Sequence, residues 1–237
     1  MKKITKASLY KVIPYYSILP LIFAFSFNMA VYAGSRIIAK DWHHYNIESF
    51  IDRAIPFYAP SVVIYLGCYL FWAANYILIA RQKEKEVCQF FSADFLSRIV
   101  CFIFYLAFPT TNVRPVIEAD GFWNQAMLFL YQVDAADNLF PSIHCLVSWF
   151  CYIGLRGRKE IPAWYRGFSC IMAILVCAST VLTKQHVVID VVGGVLLAEV
   201  CFLIGKKTTV WKYYETCLHK INEVTFEKKR QEVGNQK

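Results

Sequence analysis

Two stretches of this chain carry residue types and spacings from which chemistry can be built. They are Asp137-Asn138-Leu139-Phe140-Pro141-Ser142-Ile143-His144 and Thr183-Lys184-Gln185-His186-Val187-Val188-Ile189-Asp190. Each sets a histidine where a polar loop gives way to a long apolar run. His186 and Asp190 are spaced i, i+4 at the start of an expected helix, so both side chains share one face, a turn apart. A carboxylate there accepts from one imidazole nitrogen, fixes the tautomer and leaves the other nitrogen basic, as a nucleophilic histidine requires. The competing reading is a structural pair that staples two helices.

His144 is the second imidazole. It follows Pro141 and Ser142 at a helix start, where free backbone N–H groups and the positive end of the helix dipole favour an anion. Protonated, it can give its proton to a leaving oxygen. Read alone, Pro-Ser-x-His is also an ordinary helix start. Arg114 and Lys184 sit at the ends of apolar runs, where single cations usually act as interface anchors. Grouped with two His, Ser142 and Asp190, they describe a pocket for phosphate, since Arg grips phosphate oxygens bidentately. The sequence has no strong metal signature and calls for no cofactor: His43 and His44 read as loop residues, and there is no P-loop, Rossmann glycine set or Ser-nucleophile elbow.

The elements that must position these residues are membrane helices. At 57% hydrophobic, 17% aromatic and a mean hydropathy of +0.40, the chain is too apolar for an ordinary soluble domain of 237 residues. Runs of roughly 20 apolar residues, the length that crosses a hydrocarbon core, are expected at about 12–33, 59–80, 94–111, 141–155, 167–182 and 187–205. The expected fold is all-α: six transmembrane helices in one bundle over 12–205, a short N-terminus (1–11) and a basic tail (206–237). Arg98, at the entry of the third run, is expected to snorkel to the interface. The aromatic segment around Phe122–Tyr131 is too short to span and reads as an interfacial helix roofing a lipid-facing site.

Basic residues choose the orientation. Of the 25 Lys and Arg, 19 fall in the N-terminus, the 81–94 and 156–166 connections and the tail, and 5 in the opposite connections. Positive-inside puts both termini in the cytoplasm and the histidines toward the outer face. The net charge of +8 then suits an anionic membrane surface and not nucleic acid. The nine cysteines, seven of them inside apolar runs, are expected as free thiols packing as small hydrophobes.

In this order the residues resemble the type 2 phosphatidic acid phosphatase superfamily, with its Lys-x6-Arg-Pro, Pro-Ser-Gly-His and Ser-Arg-x5-His-x3-Asp blocks. Arg114-Pro115, Pro141-Ser142-x-His144 and His186-x3-Asp190 match. Ala107, Ile143 and Thr180 stand where the pattern has Lys, Gly and Arg, and Lys184 is the candidate replacement cation. The resemblance implies His186 as the nucleophile forming a phosphohistidine, Asp190 as its orienting partner, His144 as the acid, and Arg114 and Ser142 as phosphate holders. It implies metal-independent cleavage of a lipid phosphate ester at the outer face of a membrane, with the bacterial plasma membrane the expected location. The Asn-Leu-Phe-Pro-Ser-x-His and Thr-Lys-Gln-His variants look closer to the inositol phosphorylceramide synthase-like head-group transferases. A third reading is a non-catalytic membrane protein that binds anionic lipid. The lipid, the acceptor and the oligomeric state are not read from the sequence.

Overall fold

Backbone polar groups that meet no water must be satisfied within their own segment, and a long apolar run does so as a helix. In the computed structural model, which describes residues 12–223, the apolar runs are helical and strand pairing is confined to two residues on each side. The expected N-terminal segment 1–11 and the tail beyond residue 223 lie outside the described residues. In chain order the elements are α1 (Tyr15–Ala39), β1 (Tyr45–Asn46), α2 (Phe50–Ala54), a 3-10 turn (Ala59–Ser61) leading into α3 (Val62–Ala80), α4 (Glu84–Ala107), β2 (Thr110–Thr111), α5 (Gly121–Val133), α6 (Ile143–Leu155), α7 (Ala163–Leu182), α8 (Val188–Lys207) and α9 (Val210–Asn222).

The fold is all-α and of membrane type: α1, α3 with its leading turn, α4, α7 and α8 are each long and apolar enough to cross a bilayer. The segment expected as a fourth span differs. Its helix, α6, has 13 residues, about 20 Å at 1.5 Å per residue, short of a 30 Å hydrocarbon core. A non-helical stretch precedes it and contributes Asp137, Asn138 and Leu139 to the cavity lining.

The third run also differs from expectation. Its helix starts at Glu84, ten residues earlier than uniform apolarity suggested, because Val87, Cys88, Phe90 and Phe91 alternate with charged and polar residues and are buried. Arg98 does not snorkel. It is 2% exposed and pairs with Asp94 one turn back at 2.9 Å, while the Tyr76 hydroxyl donates to the same carboxylate at 2.7 Å. A charge excluded from water is kept by a buried partner.

Long helices consecutive in the chain run in opposite directions, so α3, α6 and α8 share one direction. At one end Ser17 donates to the Ala80 carbonyl at 2.6 Å and Tyr16 to that of Gln82 at 2.6 Å, and Arg158 pairs with Glu86. At the other end Tyr58 N–H donates to Leu182 O at 3.0 Å. Helix α6 packs among α3, α7 and α8, and α4 lies between α1 and α8. Their shared core includes Phe71, Ile79, Phe90, Leu146 and Phe150. Helix α9 buries Leu218 and sets Tyr214 beside Phe95 of α4. All nine cysteines are free thiols, seven of them buried.

Candidate active site

The site is built at the end where α3, α6 and α8 begin. Four hydrogen bonds fix the turn before α6. Thr110 Oγ1 accepts the backbone N–H groups of Leu139 (3.1 Å) and Phe140 (2.9 Å), Tyr105 donates to Pro141 O at 2.8 Å, and Asn138 donates to Ser35 at 3.1 Å. Ser142 then caps α6, its Oγ accepting Cys145 N–H at 3.3 Å. Its own N–H donates to Asp190 O at 3.1 Å, which ties the start of α6 directly to α8. That approach requires Gly194, where a Cβ would stand 2.6 Å from the Ser142 carbonyl oxygen.

On the α8 side, Gln185 and His186 both donate their backbone N–H to Thr180 O at 3.0 Å. Asp190, fully buried, accepts from His186 Nδ1 at 3.3 Å and from Val187 N–H at 3.0 Å. The sequence spacing therefore gives the contact it implied. An Nδ1–H held by a carboxylate leaves Nε2 as the free nitrogen. Burial pushes the His186 imidazole down, but the hydrogen bond and charge of Asp190 more than reverse this and hold it above its ordinary 6.5.

His144 and His186 face each other with ring centroids 6.0 Å apart. Both line a cavity of about 340 Å³, together with Gln185, Asp134 and an apolar wall that includes Met29 and Leu66. The Nε2 of His144 is buried without a protein partner. Leu130 and Val133 of α5 also line this space. His43 and His44 lie away from it, in the loop before β1.

The two expected cations part company. Arg114 lies over the Tyr131 ring at 4.4 Å and donates through Nη2 to Gln185 Oε1. It thus reaches the cavity through Gln185, whose Nε2 is left buried and unpartnered beside His186. Lys184 is a correction to the phosphate-binding set. Its ammonium donates to the carbonyl oxygens of Asp52 (2.7 Å) and Ile55 (2.6 Å), away from the cavity lining. Asp52 also accepts Val188 N–H at 2.7 Å, so Lys184 and Asp52 together bind the α2 segment to the start of α8.

Asp134 and Tyr65 escaped the sequence reading. Asp134 ends α5 and accepts from Tyr32 at 2.5 Å and Tyr65 at 2.7 Å. Burial pushes its carboxyl up, yet the nearby His144 imidazole and the two phenols more than offset this and hold it below the ordinary carboxylate value. An acid directly after an amphipathic aromatic helix was the available signal for Asp134; Tyr65, inside an apolar run, offered none.

No curated protein and no solved structure matches the chain. The sequence model of the PAP2 superfamily matches residues 37–204, well over half of the chain and including Arg114, Ser142, both histidines and Asp190, so this protein belongs to the PAP2 superfamily.

Proposed function

We propose that the protein cleaves the phosphoester of a membrane lipid through a phosphohistidine on His186. The observation that carries this reading is the pair of imidazoles on one cavity, one backed by Asp190 and the other with a free Nε2, 6.0 Å apart. A phosphoryl group attacked by one ring, with its leaving oxygen protonated by the other, would lie between the two imidazoles. His186 attacks through Nε2 and His144 protonates the leaving oxygen. Gln185 Nε2, the α6 N-terminus capped by Ser142 and, behind Gln185, Arg114 stabilise the phosphoryl oxygens. Every step uses the protein's own groups, with no metal.

The same reading takes the chain across the membrane six times, α6 and its preceding turn making the fourth crossing. Both termini are then cytoplasmic and the cavity lies on the outer side, in a plasma membrane of bacterial type. Residues 12–205 form the membrane domain, between the N-terminal segment 1–11 and a basic cytoplasmic tail at 206–237.

Transfer of the phosphorylated head group to a second lipid is the alternative outcome, and the enclosure of the site favours it: His186 is 7% exposed and much of the cavity wall is apolar. The test is turnover of a panel of lipid phosphates by the purified protein in EDTA, beside His186→Ala. Free phosphate that vanishes in the variant establishes hydrolysis. His186-dependent consumption of a phospholipid only when a second lipid alcohol is supplied establishes transfer. Activity retained in His186→Ala, or activity that EDTA abolishes, overturns the mechanism.

A further inference from the structure

Asp134 belongs to none of the motifs that carry the proposed reaction, yet a directed chain of hydrogen bonds ends on it. A phenol has one proton to give. Tyr65 gives its proton to Asp134 at 2.7 Å, so where its oxygen meets His144 Nδ1 at 3.3 Å it accepts, and Nδ1 carries the hydrogen. Tyr32 repeats the pattern on the other side: it donates to Asp134 at 2.5 Å and accepts from Arg36 at 3.0 Å, and Arg36 is itself paired with Asp137 at 3.1 Å. Both phenols give their protons to the Asp134 carboxylate. The Tyr65 ring also stacks on the His144 ring, centroids 4.3 Å apart at 29°, and Tyr69 and Trp72 pack around the same imidazole.

We propose that Asp134 and Tyr65 are positioning residues for His144, holding its tautomer so that Nε2 is the nitrogen that gives up a proton. This rests on the phosphohistidine reading. The titratable groups facing His144 are Tyr65 and Tyr69 from α3, Asp134 beyond Tyr65, and His186 across the cavity. In the transfer step the His186 Nε2–P bond forms and the P–O bond to the leaving alcohol breaks. The electron pair of that bond stays on oxygen, which takes the proton from His144 Nε2. His144 ends neutral with Nδ1–H still on Tyr65, and no proton passes to Asp134. Without the carboxylate, Tyr65 is free to donate to Nδ1, which places the neutral ring's hydrogen on Nε2 and removes support for the imidazolium.

The experiment compares two esters of one phosphorylated head group, an alkyl ester whose alcohol needs protonation to leave and a nitrophenyl ester whose phenolate does not. Asp134→Asn and Tyr65→Phe are expected to lower kcat on the alkyl ester about 10–100-fold while changing it little on the nitrophenyl ester. The double variant is expected to be no worse than the poorer single one, since both act through His144. Equal losses on both esters, with or without a lowered melting temperature, or no loss on either, overturn the proposal. His186→Ala turning over both esters overturns the phosphohistidine reading itself, whatever the Asp134 variants do.

Discussion

One oxygen of Asp190 accepts two N–H groups from consecutive residues, the ring Nδ1 of His186 at 3.3 Å and the amide of Val187 at 3.0 Å. The aim of the imidazole and the start of α8 are therefore fixed by the same atom. Replacing Asp190 by Asn keeps the shape but removes the charge. Asp190→Asn is expected to lower kcat by about 10²–10⁴-fold.

That variant also carries a pH signature. Because His186 is held above its ordinary 6.5 chiefly by Asp190 against the effect of burial, and a nucleophile must be unprotonated, activity falls as pH drops through that raised value. Asp134 and Cys145 favour the protonated ring as well, and His144 lies across the cavity. In Asp190→Asn the acid limb of kcat/KM is expected to move to lower pH, and an unmoved limb removes Asp190 from this role. The linked stability has the opposite dependence: it is fully present below the unfolded histidine's value and is lost as pH rises through the folded one.

Lys184 yields a prediction about folding. Its ammonium holds two carbonyl oxygens, and its backbone sits at φ +55°, a left-handed conformation uncommon for lysine. Lys184→Ala is expected to destabilise the protein by about 1–2 kcal/mol with little change in KM. A raised KM at unchanged melting temperature returns Lys184 to the phosphate pocket.

Gln185 and Arg114 are separable by substitution. Gln185→Ala removes a donor beside His186 and frees Arg114, whereas Arg114→Lys keeps a charge but loses the planar fork that holds the Gln185 carbonyl. Gln185→Ala is expected to reduce kcat/KM about tenfold or more, and Arg114→Lys to follow it in part. Steady-state kinetics on both variants checks the order, and an Arg114→Lys loss exceeding that of Gln185→Ala puts Arg114 itself on the substrate.

The buried Asp94–Arg98 pair gives a test in the bundle core. Arg98→Met strands a carboxylate that is 1% exposed and is expected to destabilise by about 3–5 kcal/mol, whereas a double Asp94→Leu/Arg98→Met recovers most of that loss. Thermal unfolding in detergent distinguishes the two, and a double variant as weak as the single one shows that the pair is worth more than its apolar replacement.

The sequence carried the helical membrane fold and the two histidines because apolar length and i, i+4 spacing are local properties. His186 and Asp190 meet because a helix brings them together. What stayed hidden depends on contacts across the bundle. The start of α4 was masked because its buried residues alternate with charges. Lys184 is two residues from His186 in sequence, but a left-handed turn aims it at the α2 segment. Gln185, its neighbour, gains a role only because Arg114, 71 residues away, holds its carbonyl. Tyr65 and Asp134, 69 residues apart, become partners only when α5 folds over α3.

The mouth of the cavity sets how such an enzyme must be assayed. Met29, Tyr69 and Val133 line it while remaining 47%, 53% and 54% exposed. Under the proposed function, apolar side chains at a rim between α1, α3 and α5 would face acyl chains, and a substrate dissolved in the leaflet would enter sideways without crossing water. The concentration that governs saturation is then the mole fraction of substrate in the surface. Diluting a micelle or vesicle with inert lipid at constant bulk substrate is expected to slow the reaction as substrate dilution would, and adding more of the same mixed surface is not.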